Sequence, residues 1–300
     1  RQPNPKRLLQ AYHQSASTMN LIRNLTMRGF TNFQNIKSWE LSNFQKSKYF
    51  QKYDDIANQI KEIFKFTNQH NISNNLSNTV YTSHEALLLD YENAFLNQEN
   101  KKIFNCSAHM LWVGDKTRFL DSAHIEFVSQ IENPIGIKIG PDINIEDVVF
   151  LCKKINPDNK YGKIVFIVRL GLNHIGKLLP LMIKKVESHH LNVLWLCDPM
   201  HGNTILTKTG YKTRNFDTIK NEIEHFFNIH NEHNTIPGGL HFELTGDNVT
   251  ECIGGINNIK DGDLKQYYQT ACDPRLNNEQ SLEMGFLIAE LLEKRRKNRE

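Results

Sequence analysis

Beyond residue 105 the chain repeats one texture, a short apolar run followed by a helical pattern. The runs read HMLWVGD (109–115), IGIKIG (135–140), KIVFIVRL (163–170), NVLWLCDPM (192–200), GLHFELTG (239–246) and, more weakly, YYQTACDP (267–274). Near-continuous Val, Ile and Leu is what strands buried on both faces require, as in a parallel sheet covered by helices. Amphipathic periodicity predicts helices over 143–155, 174–188, 214–230 and 279–296. Strand then helix, repeated, is the βαβ unit, and it restricts the chain to an α/β fold.

Each run carries ionisable side chains at or near its C-terminal end. Asp115 and Lys116 follow the first, Lys138 lies late in the second, and Arg169 closes the third. Asp198 and His201 end the fourth, Glu243 sits in the C-terminal half of the fifth, and Asp273 ends the sixth. Apolar bodies with polar tips are the pattern of a (β/α)8 barrel of the TIM type, whose site is built on that rim. A doubly wound sheet also binds ligands at strand C-termini, but at one switch point and not on every strand. Six visible strands favour the barrel. Closure needs eight, so two are expected either within the preceding helical region or upstream of Arg1.

The polar tips divide by chemistry. His201, Glu243 and Asp273 offer one imidazole and two carboxylates from successive strand ends, a donor set suited to Mn2+, Fe2+, Co2+ or Zn2+. A lone strand-tip His is more often a capping or core group, so only the three together carry weight. His241 shares a face with Glu243 by the period of two and competes as a ligand; it reads better as a support for the ligands. Lys116, Lys138 and Arg169 are three cations aimed at the same rim. One such Lys alone would read as a salt bridge to the neighbouring acids, whereas three beside a metal suggest a pocket for phosphate and carboxylate groups. Lys212 and Arg214 in GYKTRNFD extend that set. A metal flanked by such cations points to small phosphorylated metabolites.

Residues 1–80 differ in texture from 81–300, the expected barrel domain. They are rich in Asn, Gln, Lys and Ser, with apolar residues at helical spacing: Leu8, Leu9, Tyr12, Met19, Ile22 and Leu25, then Phe44, Tyr49, Phe50, Tyr53, Ile56 and Ile60. That predicts an added helical segment with no chemistry of its own. The net charge of +3, from 36 basic and 33 acidic residues, is too small to imply a nucleic-acid or membrane partner. The basic end EKRRKNRE reads as the solvated face of a helix. Five cysteines, Cys106, Cys152, Cys197, Cys252 and Cys272, are widely spaced and odd in number, which points to a reducing cytoplasm and not to a disulfide framework. No apolar run approaches the ~20 residues that span a bilayer, and no signal peptide is visible.

Longer strings now become familiar. SAHMLWVGDKTRFLDSAHIEF, NPIGIKIGP, VRLG, CDPMHGNT, KTR, PGGLHFELTGDNVTECIGG and ACDPRLN, with YTSHEALLLDYE at 81–92, resemble signature segments of the class II 3-deoxy-D-arabino-heptulosonate 7-phosphate (DAHP) synthases. The resemblance runs in order from about residue 5 to residue 294. It implies a (β/α)8 barrel with added helices that condenses phosphoenolpyruvate with erythrose 4-phosphate, the first step of the shikimate pathway. It implies a divalent metal, Mn2+ before Co2+, Fe2+ or Zn2+, on His201, Glu243 and Asp273. It places phosphoenolpyruvate on the Asp115–Lys116 pair, Lys138 and Arg169, with Lys138, Arg169 and His201 as the catalytic groups. A homo-oligomer, dimer or tetramer, and feedback by aromatic amino acids through the extra helices belong to the same expectation.

The departures from the pattern matter as much. The family usually reads WxGERTR where this chain reads WVGDKTR, and Lys cannot reproduce a bidentate Arg contact at Lys116. Weaker phosphoenolpyruvate binding is expected, and a Michaelis constant unchanged by Lys116→Arg would argue against it. The family's GGDCAE segment, with a fourth, Cys ligand, and its KPRS loop find no counterpart here. Together with Arg1 in place of a methionine and the two uncounted strands, this predicts a chain lacking its N-terminal portion and inactive by itself. None of the five cysteines is promoted to the missing ligand. Two other readings stay open: a family member serving a phenazine or aminoshikimate pathway, and a catalytically impaired metal-binding or regulatory relative.

Overall fold

The computed structural model describes residues 2, 4–27, 54, 55, 58 and 80–298. The chain divides into two compact units, Arg1–Thr82 and Ser83–Glu300. In the first, α1 (Lys6–Met27) spans the apolar spacing that begins at Leu8. The helical pattern expected from Phe44 to Ile60 falls outside the described residues, save Asp54, Asp55 and Asn58, which are helical.

The second unit runs β1 (Ser83–Glu85), α2 (Leu89–Asn93), β2 (Leu96–Glu99), β3 (Lys102–Asn105), β4 (Met110–Val113), α3 (Ala123–Ser129), β5 (Ile135–Ile139), α4 (Ile145–Ile155), β6 (Ile164–Val168) and α5 (Leu172–Ser188). It continues with β7 (Leu194–Cys197), β8 (Thr204–Leu206), β9 (Lys212–Arg214), α6 (Phe216–Glu232), β10 (Pro237–Leu240) and α7 (Asn278–Lys297). Six strands form one parallel sheet in the order β1-β4-β5-β6-β7-β10. The hairpins β2–β3 and β8–β9 are antiparallel and lie outside it.

The central strands are what the apolar runs require. Every residue of β5 and β6 is buried, and the register sets Ile135 against Ile164 and Ile137 against Phe166. Helices α4, α5 and α6 lay Val148, Leu151, Ile175, Leu179, Ile219 and Ile223 onto this layer with no exposed surface. Each such side chain contributes roughly 1.5–3 kcal/mol over its exposed state. Polar N-caps start the helices: Asn144 accepts from the Glu146 N–H, and Asn215 from those of Asp217 and Thr218. The helices predicted over 143–155, 174–188, 214–230 and 279–296 correspond to α4, α5, α6 and α7.

The sheet corrects two expectations. Residues 267–274 are not a strand; the sixth member is β1, drawn from the YTSHEALLLDYE segment and paired Ser83↔Met110 to Glu85↔Trp112. Three polar residues carry no apolar periodicity, which is why the run could not be seen. Glu243, expected within the fifth strand, lies beyond the end of that strand as it forms, β10 (Pro237–Leu240). Pairing slips between Pro237 and Gly239, the last ladder contact is His241 N–H to the Cys197 carbonyl at 2.8 Å, and the chain then pairs with Leu276 instead. Among the described residues the sheet does not close: β1 and β10 each pair with one neighbour. No described helix is long and apolar enough to cross a membrane.

Candidate active site

The tip of β7 is organised by Asp198, a carboxylate with no exposed surface. Its Oδ1 accepts from the backbone N–H groups of Met200 and His201, each at 3.1 Å, which turns the chain sharply after the strand. Its Oδ2 lies 2.8 Å from His201 Nδ1 and pairs with Lys138 Nζ, which reaches across from β5. Asp198 therefore holds one nitrogen of the ring and aims the other, Nε2, outward.

Two carboxylates meet that nitrogen. Glu243 Oε1 is 3.4 Å from His201 Nε2, and Asp273 Oδ2 is 3.9 Å from it. Donor atoms of His201, Glu243 and Asp273 all lie within 4.8 Å of one another, the only such group found among the described residues. Each ligand's outer atom is already engaged. Glu243 Oε2 is taken by Arg214 Nη1, and Asp273 Oδ1 by Lys212 Nζ at 2.7 Å. The inner atoms Nε2, Oε1 and Oδ2 are left to converge, so the set fits a divalent ion of borderline hardness. Lys212 and Arg214 thus hold the two acids, and Arg214 additionally donates to the Pro274 carbonyl.

Asp273 stands on a loop fastened by Glu251. This buried carboxylate accepts from the N–H groups of Gln269, Thr270 and Arg275 at 3.1, 2.8 and 2.8 Å, and from the Arg275 guanidinium at 2.7 and 3.0 Å.

The cations cluster beside the carboxylates. Lys138 is buried, and Arg169, just past β6, is partly exposed. Arg169 Nη1 lies 3.1 Å from Asp115 Oδ2, and Asp115 Oδ1 takes Arg118 Nε at 2.9 Å and the Gly140 N–H at 2.7 Å. One acid thereby ties the loops after β4, β5 and β6. Lys116 is exposed and forms no ion pair among the described residues; the guanidinium on Asp115 is that of Arg118. His241 stays outside the donor group, its ring 6.2 Å from that of His201 and 5.6 Å from that of Trp112.

Charge and burial set the protonation states. Hydrogen bonds to Asp198 and Glu243 push His201 up to about 9. Burial alone would raise Asp198, but the His201 hydrogen bond and the Lys138 charge outweigh it and hold the acid below the usual carboxylate range. Burial likewise opposes ionisation of Glu243 and Asp273, yet the contacts with His201 and Arg214 and with Lys212 keep both below their ordinary values. Burial lowers Lys138 against the pull of Asp198.

Sequence reasoning did not single out Arg118, Glu251 or Glu222, nor the bridging role of Asp198. Arg118 stood in the same WVGDKTR string. Glu222 falls at helical spacing among Ile219, Ile223 and Phe226, an acid on an apolar stripe, which is a legible signal.

A family model described as the class-II DAHP synthetase family matches residues 1–289. A phospho-2-dehydro-3-deoxyheptonate aldolase of Streptomyces coelicolor is 43% identical over 293 residues, covering 96% of this chain and 65% of the relative. The phospho-2-dehydro-3-deoxyheptonate aldolase AroG of Mycolicibacterium smegmatis is 42% identical over 301 residues, covering 97% of this chain and 65% of its own. The chain thus spans 65% of the length of each of these relatives.

Proposed function

This chain belongs to the class-II DAHP synthetase family, and on that premise we propose that it condenses phosphoenolpyruvate and erythrose 4-phosphate, with one water, into DAHP and inorganic phosphate. The observation that carries the reading is the convergence of His201 Nε2, Glu243 Oε1 and Asp273 Oδ2 beside Lys138 and Arg169.

His201, Glu243 and Asp273 would hold a divalent ion, Mn2+ by preference, which when bound would supply a Lewis acid for the aldehyde oxygen. Lys138 and Arg169, with Lys116 at the rim and Asp115 holding Arg169 in place, bind the phosphate and carboxylate of phosphoenolpyruvate and orient its C3 toward the aldehyde carbon. The new bond leaves positive character at C2, water adds there, and phosphate departs. Lys138 is buried, so its charge acts with little screening on the anion it holds. Asp198 keeps Lys138 and His201 in fixed relation throughout.

The five cysteines are free thiols, which supports a cytoplasmic location. A homo-oligomer and aromatic amino-acid effectors belong to the same reading and are supported by the family alone. Titration calorimetry with Mn2+ and then phosphoenolpyruvate tests it. Uptake of both is expected, with Mn2+ uptake lost in His201→Ala and Glu243→Ala. No uptake by the unaltered chain, or uptake indifferent to both substitutions, overturns it. Phosphate release from the mixed substrates, abolished by chelation, reads the reaction itself and decides whether the chain is inactive by itself, as the lack of GGDCAE and KPRS counterparts predicts.

A further inference from the structure

Two strand-tip loops are fastened to each other by a buried acid that neither half of the site uses. Glu222, on α6, has no exposed surface. One of its oxygens accepts from the Gly171 N–H at 3.0 Å, and the other accepts from Asn203 Nδ2. The Asn203 amide reaches the same loops: Nδ2 also donates to the Pro199 carbonyl at 2.8 Å, and Oδ1 accepts from the Leu172 N–H at 3.1 Å. The backbones themselves touch. A Cβ added to Gly202 would lie 2.9 Å from the Arg169 carbonyl oxygen, and Gly171 sits at φ +77. Arg169 Nη2 in turn approaches the His201 carbonyl at 3.5 Å. Glu222 is hydrogen-bonded by amides and not by a cation, and burial pushes its carboxyl up to about 7. A buried acid held without a counter-charge is a costly fastening, and such costs concentrate where they serve a site.

We infer that Glu222 and Asn203 are positioning residues that couple the anion pocket to the metal centre by fixing the Arg169–Gly171 loop against the His201–Asn203 loop. The inference rests on the function proposed above. The contacts of both residues are with the two loops themselves. Arg169 moves with Gly171 and His201 with Asn203, so filling either side pre-sets the other, and the coupling is equal in both directions.

The test measures the Mn2+ dissociation constant from the resonance of the free aquo ion, with and without phosphoenolpyruvate. In the unaltered chain phosphoenolpyruvate tightens Mn2+ about 5–150-fold, the usual span of such coupling. Glu222→Gln cannot accept from both donors, and Asn203→Asp sets one carboxylate against another. In each the ratio falls by at least about threefold, while the Lys138–Asp198–His201 contacts persist. A merely structural role lowers Tm and weakens both ligands alike at an unchanged ratio, which overturns the inference. Should Asn203→Asp not fold, the isosteric Glu222→Gln decides. An unaltered chain that binds both ligands independently also overturns it and leaves the proposed function standing; one that binds neither removes both.

Discussion

Asp198 is the residue on which both halves of the site lean, since it contacts both a cation of the anion pocket and a ligand of the metal centre. Asp198→Asn keeps the shape but sets an amide N–H against Lys138 or His201 and leaves a buried ammonium without its counter-charge. The expected loss is about 10–100-fold in Mn2+ affinity, with about 3–5 kcal/mol of stability lost in urea unfolding. An affinity unchanged from the parent would show that the ring needs no such orientation. His201 gives the site a pH dependence with a definite sign. Its folded value near 9 lies above the ordinary 6.5, so in the ion-free protein its charge adds stability that is full below about 6.5 and lost as pH rises through about 9. An ion requires the neutral ring. Mn2+ uptake therefore releases a proton at neutral pH, and apparent affinity climbs as pH rises toward 9. Calorimetry in two buffers of different ionisation heat measures that proton; equal heats would contradict the assignment. At this scale the sequence named His201, Glu243, Asp273, Lys138 and Arg169, because apolar strands make polar tips conspicuous. It could not name the partner of each, because Asp115 meets Arg169 only after the loops behind β4 and β6 come together.

Among the elements, the strands with aliphatic runs were legible and the polar edge strand β1 was not. β5 and β6 announce themselves as unbroken aliphatic runs, whereas β1 is three polar residues long and gains its place from pairing with β4. The stretch 267–274 reads as apolar and aromatic, yet its amides are claimed by Glu251 and not by a neighbouring strand. That makes Glu251 responsible for where Asp273 stands. Glu251→Gln removes the charge from a pocket built of five N–H donors. Amide exchange at Thr270–Arg275 is expected to speed up while α4 and α5 keep their protection, and Mn2+ affinity to fall by roughly 10-fold or more. Uniform exchange across the unit would instead mark a global loss of stability.

At the scale of the molecule, the alternation of runs and helices sufficed for an α/β fold with a parallel sheet, since that pattern has few other solutions. It left the sheet's extent undetermined, because what lies beside β1 and β10 is written in no local signal. The centre joins residues from three separate loops of the second unit, so an ion bound there should brace that whole unit. At a concentration 100 times its dissociation constant, Mn2+ adds about 2.7 kcal/mol, hence a rise in Tm of roughly 5–10 °C that chelation reverses. A melting curve indifferent to Mn2+ would place the ion elsewhere or nowhere. The backbone contact of Gly171 with Gly202 has a consequence for anyone altering this rim by mutation. Neither position admits even a methyl group, so libraries that randomise them will return mostly misfolded variants. Room for substitution lies instead on the β8–β9 hairpin, where Ile205 and Leu206 face water.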